Sequence, residues 1–498
     1  MTSQPINWHG EAANLTFRNN AFIDGKFVSA QSGDVFDAIN PANGKILTKV
    51  ASCDVADVDI AVHSARKAFE AGVWSRRSPA ERKKVLQRFA ELMYKHADEL
   101  ALLETLNMGK PISDARSIDV PGSANTIAWY AEAIDKIYDE IAPTGHGALG
   151  MITREAVGVV AAVVPWNFPL LMACWKLGPS LAAGNSVILK PAEQSPLSAL
   201  RLAELASEAG VPDGVFNVVT GLGETAGRAL GLHMDVDIVT FTGSTEVGKL
   251  FMGYSGQSNL KRIALECGGK TPHIVMADCA NLDEAATAAA FGIFFNQGEV
   301  CNAGSRLLVD RKIKDAFVEK VIAVGKTLIP GDPLDPQTKM GAIVSKNQLD
   351  RVLDYIEVGS KEGATLLSGG KQHLTETGGY FVEPTVFDGV TNSMRIAQEE
   401  IFGPVLATIS FADTDEAVRI ANDTIYGLAA AVWTDNIDTA LSTARRLRAG
   451  SVWVNNFDES NITVPFGGYK QSGFGRDKSL HAIDKYTELK TTWIKIRA

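Results

Sequence analysis

From Val157 onward the chain alternates short, almost wholly apolar runs with longer helical ones, and this alternation constrains the fold more than any other feature. Strand-like runs at Gly158 to Val164, Ser186 to Lys190, Val215 to Val219 and Ile238 to Phe241 are separated by helical patterns at Trp175 to Ala183, Ser198 to Ala209, Glu224 to Leu230 and Thr245 to Tyr254. Continuous apolar strands are buried on both faces, and parallel strands need crossover helices, so the pattern predicts an open α/β sheet. A second alternating block begins near Thr271, with strands expected at His273 to Met276, Ser305 to Val309, Val405 to Phe411, Ala429 to Thr434 and Ser451 to Asn455, and helices at Ile313 to Thr327 and Lys346 to Glu362. Two facing α/β lobes follow. Open α/β sheets bind ligands at the carboxyl ends of their strands, which places the site in the cleft between the lobes.

The flanks read differently. Ala21 to Ser29 is a hairpin turning at Asp24-Gly25, followed by helices over Asp54 to Ala71 and Ser78 to Met108, broken at Gly109 and Pro111. The C-terminal Tyr486 to Ile496 is a late strand with no evident partner in its own lobe, an edge that predicts pairing with another subunit. A length of 498 residues allows about three domains of ordinary size. The net charge of −10 argues against a nucleic-acid surface and favours cationic small molecules. Five cysteines without a C-x-x-C pair point to a reducing compartment rather than a disulfide framework. Met1 to Gly10 lacks the basic start and apolar stretch of a secretory leader, and the apolar run Ala156 to Trp166 is too short to span a bilayer, so the expected location is cytoplasmic.

Chemistry concentrates in a few segments. Cys301 follows the apolar run Ala288 to Phe295 inside a small, polar, glycine-flanked stretch, a setting suited to a nucleophilic thiol, although a lone cysteine is often only a small buried hydrophobe. Phe241-Thr242-Gly243-Ser244 is a strand, a tight turn and a helix start with Ser244 as N-cap; Gly243 allows close approach of a pyrophosphate, and a purely structural cap is the alternative. Lys190 and Glu193 emerge at a strand's carboxyl end, where Glu193 can accept a ribose diol and repel a 2′-phosphate, favouring NAD over NADP; a surface ion pair is the plain alternative. Glu266, before two glycines, suits a general base, and Asn167, fixed between Pro165 and Pro169, suits an oxyanion donor. His273 reads as structural, and no residue spacing suggests a metal site.

Taken together, Pro165-Trp166-Asn167-Phe168-Pro169, Lys190-Pro191-Ala192-Glu193, Phe241-Thr242-Gly243-Ser244, Leu265-Glu266-Cys267-Gly268-Gly269-Lys270, Gly298-Glu299-Val300-Cys301 and Glu400-Ile401-Phe402-Gly403-Pro404-Val405 resemble the aldehyde dehydrogenase superfamily over nearly the whole chain. Within it, the sequence is most similar to bacterial ω-aminoaldehyde dehydrogenases of polyamine and arginine catabolism. The resemblance implies Cys301 as nucleophile, Asn167 as oxyanion donor, Glu266 as base and Lys176 near the active site. It implies cofactor contacts at Trp166, Lys190, Glu193, Gly223, Gly243, Ser244, Glu400 and Phe402. It further implies an NAD-binding domain (1–134 and 156–267), a catalytic domain (268–479) and an oligomerisation arm (135–155 and 480–498) in a dimer or dimer-of-dimers tetramer. An aldehyde tunnel is expected to be lined by Asp119, Trp175, Phe457, Asp458 and Glu459, with acids selecting a cationic tail and Trp129 adding a cation–π contact. A broad-specificity aliphatic or betaine-aldehyde dehydrogenase is the alternative. Cys267 stands where the family pattern usually has an aliphatic residue.

Overall fold

The computed structural model describes residues 6–497; residues 1–5, the start of the stretch read for a leader, and residue 498 lie outside them. Two large sheets carry the architecture. The first has eight strands in the order Lys26–Val28, Ala21–Ile23, Phe216–Val218, Ser186–Lys190, Val159–Val163, Ile238–Thr242, Arg262–Glu266 and Gly473–Phe474. Its five central strands are parallel, and antiparallel strands close both edges. The second has seven strands, Thr365–Ser368, Thr385–Asp388, Val405–Phe411, Arg306–Asp310, Pro272–Val275, Ala429–Trp433 and Ser451–Val454, all parallel except the first pair. Every residue of Val159–Val163, Ser186–Lys190 and Ile238–Thr242 is buried, as unbroken apolar runs require when helices cover both faces.

Local chemistry sets most helix boundaries. Asp54 and Asp57 form a capping box that starts Val55–Ala71, and Ser78 with Glu81 does the same for Pro79–Lys95. The stretch expected to be one helix to Met108 divides at His96, whose ψ of 26 ends the first helix and opens Ala97–Met108. The helix expected from Trp175 begins at Pro169, the first-turn position where a missing N–H costs nothing. Glu224 to Leu230 opens as a π-helical turn, Gly223–Gly227, before the short helix Arg228–Leu232. Among the described residues no helix is long and apolar enough to cross a membrane.

The C-terminal strand finds its partner in the other segment of the expected arm, not in its own lobe. Thr487–Lys495 pairs antiparallel along its whole length with Ala148–Ala156, which also pairs with Glu140–Ala142. Its other edge has no partner among the described residues, and Leu489 and Trp493 remain exposed. Asn185 anchors this arm to the first lobe. Fully buried, it accepts from Gly158 N (2.9 Å) and donates to Ser180 O (3.1 Å) and Tyr486 O (3.0 Å). Asn185→Ala leaves the buried Gly158 N without a partner, at about 1–3 kcal/mol, and takes from Ser180 O and Tyr486 O one of the two donors that reach each. Denaturant unfolding should therefore show a loss of roughly 2–4 kcal/mol; a loss below about 0.5 kcal/mol, typical of a neutral surface change, would remove Asn185 as the anchor.

Candidate active site

The carboxyl ends of the first sheet's strands and the segments that lead into the second sheet, with Cys301 before Arg306–Asp310 and Phe402 before Val405–Phe411, border one cavity of about 660 Å³. Three elements deliver its central residues. After the helix Leu282–Phe294 the chain reverses through Asn296 (φ 48), Gln297 (φ 58) and Gly298 (φ 73). Left-handed backbone at two non-glycine residues is strained, and buried side-chain bonds hold it. Asn296 Nδ2 donates to the carbonyls of Asn167 and Glu299, each at 3.2 Å, and Gln297 Oε1 accepts from Gly341 N at 2.9 Å. A Cβ on Gly298 would stand 2.3 Å from the Gly403 carbonyl, so only glycine fits there. The reversal aims Cys301 into the cavity.

Asn167 lies in the turn between Val159–Val163 and Pro169–Ala183, is 3% exposed, and donates from Nδ2 to Glu299 O at 2.8 Å. That bond fixes the amide and leaves its second N–H for the cavity. Glu266 ends the strand Arg262–Glu266 at 4% exposure, and neither carboxyl oxygen has a hydrogen-bond partner. Burial, reinforced by the Asp477 carboxylate and opposed by Lys176, Lys485 and Arg476, pushes the Glu266 carboxyl well above the ordinary carboxylate range. Burial also raises the Cys301 thiol, and the nearby carboxylates of Glu400, Asp458 and Glu266 raise it further. Lys176 does not line the cavity; its amine is buried against Asp477, so it acts on Glu266 through the field and touches no reacting atom.

On one side of Cys301 the cavity is built for a phosphorylated, ring-bearing ligand. Ser244 caps the 13-residue helix Thr245–Gln257 through Val247 N (3.2 Å), leaving other first-turn amides open, and Gly243, Ser244 and Glu246 line the wall. The buried Thr242 Oγ1 beside them has no partner, an orphan that a bound ligand would satisfy. Glu400 accepts from Gly269 N at 3.1 Å, and a Cβ on Gly268 would meet its carboxyl group within 2.1 Å. Burial lifts the Glu400 carboxyl to about 7. Phe402, held at φ 61, meets Trp166 edge-on at 5.2 Å. Lys190, Glu193 and Gly223 do not line this cavity; Lys190 ends a strand of the same sheet and donates to Glu193 at 3.2 Å, and Gly223 follows the next strand with open space around it. These residues fit a dinucleotide laid along the sheet's edge.

On the other side the expectations divide. Trp175 and Asp458 line the cavity, and Asn302 Nδ2 donates to Asp458 Oδ1 at 2.6 Å. Asp119 does not: it is fully buried in an ion pair with Lys110, one helical position from the cavity-lining Ile118, and has no charge to offer a ligand. Phe457 stacks on His273 at 5.1 Å and packs behind the wall, while Glu459 points outward and contributes only its carbonyl, to Trp453 Nε1. Trp129 packs against Tyr130 instead of entering the tunnel. Among the lining residues that sequence reasoning missed, such as Gln348 and Arg351, is Lys478, which reaches the cavity from a left-handed turn (φ 62). Nothing in the local pattern marks it, because such a turn has no periodicity to read.

Two other titratable groups are buried in or beside the site. Cys267 lines the cavity but is 3% exposed, and burial followed by the charges of Glu266 and Glu400 pushes its thiol up to about 12. His273 is fully buried with rings of Trp433 and Phe457 on its faces, and burial drives its imidazole down to about 3, so it stays neutral.

Comparison with known proteins agrees with this geometry. Residues 27–492 match the model of the aldehyde dehydrogenase family. The NADP/NAD-dependent aldehyde dehydrogenase PuuC of Escherichia coli (strain K12) is 52% identical over 491 residues, 99% of this chain and 98% of that protein. A crystal structure of an indole-3-acetaldehyde dehydrogenase complexed with NAD+ superposes with a TM-score of 0.98 at 61% identity, covering 98% of this chain and 99% of that one. The γ-glutamyl-γ-aminobutyraldehyde dehydrogenase of Burkholderia cenocepacia J2315 superposes with a TM-score of 0.97 at 60% identity, covering 99% of each chain. A family match spanning most of the sequence, relatives aligned end to end, and a thiol, an amide and a carboxyl converging between two α/β sheets lead to one conclusion: the chain belongs to the aldehyde dehydrogenase family.

Proposed function

We propose that Cys301 carries the reaction of this NAD-dependent aldehyde dehydrogenase, oxidising an aldehyde to its carboxylic acid. The observation behind this reading is that Cys301, Asn167 and Glu266 line one cavity between the two sheets. The Cys301 sulfur, once deprotonated, adds to the aldehyde carbon, and the oxygen of the adduct takes its hydrogen bonds from Asn167 Nδ2 and the Cys301 backbone amide. A bound NAD would supply the acceptor for the hydride of the adduct carbon, whose loss converts the adduct to a thioester on Cys301. Glu400, Phe402, Trp166 and the Gly243-Ser244 turn would hold the cofactor's nicotinamide and pyrophosphate parts, with Lys190, Glu193 and Gly223 at its adenosine end. Glu266 then takes a proton from water, the hydroxyl adds to the thioester, and the sulfur leaves as the acid is released.

The proposed substrate carries a polar, charged tail, an ω-amino-, guanidino- or γ-glutamylamino-aldehyde of polyamine or arginine breakdown. Asp458 in the wall and the name of the similar γ-glutamyl-γ-aminobutyraldehyde dehydrogenase support this. A broader aldehyde range is the second reading, favoured by the aromatic lining of Phe168, Trp175, Phe295 and Phe466. Specificity constants for propanal, aminobutyraldehyde, guanidinobutyraldehyde and betaine aldehyde with NAD and NADP separate the two. The unpaired edge of Thr487–Lys495, with Leu489 and Trp493 exposed, fits assembly into dimers or tetramers through the arm. Five free cysteines fit a cytoplasmic enzyme. Domains of 1–134 with 156–267 for NAD, 268–479 for catalysis and 135–155 with 480–498 for assembly complete the proposal.

Glu266→Gln should retain one equivalent of rapidly formed NADH per active site while steady-state turnover falls by about 10²- to 10⁴-fold, the usual worth of a positioned base. Cys301→Ala should form no NADH in either phase. Loss of the burst in Glu266→Gln would assign Glu266 to the first half-reaction instead. The thiol offers a pH test. Because burial raises the Cys301 pKa above its ordinary value, thiolate is scarce at neutral pH and grows about tenfold per pH unit below that pKa. The rate of iodoacetamide inactivation of the free enzyme should climb with that slope through pH 9; a plateau near neutral pH would show a thiolate already formed.

A further inference from the structure

The substrate side of the cavity contains one charge that no cationic aldehyde would use. Of the residues lining it beyond Cys301, only Asp458 and Lys478 are charged. Lys478 is 5% exposed. Its ammonium bonds the neutral Ser460 hydroxyl and stands 5.5 Å from the Trp175 ring centroid. Among the described residues it forms no ion pair, and Asp458, which bonds Asn302 instead, influences it only from a distance. A buried ammonium without a carboxylate partner is costly. The backbone adds to that cost, since Lys478 and Asp458 both sit at positive φ (62 and 59), where a non-glycine residue is strained. Strain of this kind persists where the surrounding fold imposes it, and here it presents two opposite charges to one space without letting them neutralise each other.

We propose that Lys478 is a specificity-determining residue that binds an anionic group on the far end of the aldehyde. With Asp458 opposite, the pair selects a zwitterionic tail, one carrying both a carboxylate and an ammonium. This rests on the aldehyde dehydrogenase reading above and narrows its substrate class. The carboxylate of such a tail supplies the counterion that Lys478 lacks, and its ammonium meets the Asp458 carboxyl, which accepts from Asn302 and forms no ion pair among the described residues. Burial lowers the Lys478 amine to about 8, so it is still charged at neutral pH and available for this role. The walls between the two charges are apolar and aromatic, from Leu171, Trp175 and Phe466, and suit the methylene chain that joins a charged tail to its aldehyde.

The test compares specificity ratios rather than absolute rates. Wild type, Lys478→Met, Lys478→Arg and Asp458→Asn are assayed with NAD against propanal, 4-aminobutanal, succinic semialdehyde and γ-glutamylaminobutanal, and each kcat/KM is divided by that for propanal in the same variant. Lys478→Met should lower the ratios for the zwitterionic and anionic aldehydes by about tenfold or more, the worth of a lost charge-assisted contact, and leave the 4-aminobutanal ratio within about twofold. Lys478→Arg should restore most of that loss. Asp458→Asn should lower the ratios for 4-aminobutanal and γ-glutamylaminobutanal. Ratios that stay within about twofold for every aldehyde in Lys478→Met would overturn the assignment, whatever the change in absolute rate. Wild-type enzyme that forms no NADH with any of the four aldehydes would instead overturn the proposed function itself.

Discussion

Asp477 is the constraint on which the cleft depends. The chain leaves the second lobe, returns to the first as the edge strand Gly473–Phe474, and immediately buries this carboxylate between Lys176, on the helix Pro169–Ala183, and Lys485, 2.5 Å away. Both partners hold Asp477 ionised against the opposing effect of burial. Removing one partner of such a buried pair typically costs about 3–5 kcal/mol. The cost is local to the site because the same three charges set the environment of Glu266. The backbone follows: Cys267 N donates to Ser472 O at 2.8 Å, and Ser472 Oγ donates to Gly268 O at 2.7 Å, so the segment that carries Glu266 is pinned on its carboxyl side by the returning strand. With Asp477 locked inward, the next residue, Lys478, is forced through positive φ and faces the cavity.

The asymmetry of the two ends of the cavity follows from how each is built. The cofactor side is made of strand ends and a helix start, where backbone amides and carbonyls are already exposed by the topology, and side chains need only fill gaps. The opposite side combines helix residues such as Ile118, Leu171 and Trp175 with the loop residues Asp458, Ser460, Asn461, Ile462 and Lys478, and the positions of these loop residues come from tertiary contacts such as the pairing of Phe466 with Asp477. A wall of this second kind can change charge without disturbing the sheets. That is where differences in aldehyde preference among related chains have physical room to arise.

The same distinction explains what was legible in the sequence. Ser186–Lys190 and Val405–Phe411 were readable to the residue because largely buried parallel strands leave mostly apolar runs bounded by polar or glycine-containing turns. Ser244 was readable as a cap because N-cap chemistry is local. The helices Thr414–Asn422 and Ile437–Arg446 escaped despite good caps at Asp413 and Asn436, since each is short and mostly polar on its outer face. The division of Ser78 to Met108 at His96 escaped because neither glycine nor proline marks it. At the site, the central residues were legible because their motifs are contiguous. Asp119 was misplaced because position along a helix does not fix which way a side chain faces: Ile118 took the cavity and Asp119 took Lys110. Lys478 was invisible because its role comes from a turn geometry that only the return of the chain imposes.

Electrostatics also orders the chemistry in time. Four carboxyl groups line the cavity, those of Glu246, Glu266, Glu400 and Asp458, and burial raises the last three; Asp458 sits at about 6 and Glu400 at about 7. Each of these three, when ionised, raises Cys301. Such groups titrate together, and a negative charge on one opposes a negative charge on the next. The sulfur is therefore best able to become a thiolate while Glu266 is neutral. Once the sulfur is esterified it has no ionisable proton and can carry no charge, so the penalty it imposed on an ionised Glu266 disappears. Glu266 then becomes a better base at the stage when a thioester awaits water. In the reaction proposed above, one carboxyl-rich cavity would thus separate the two half-reactions with no moving part: the covalent state of Cys301 would set which of the two groups is free to ionise.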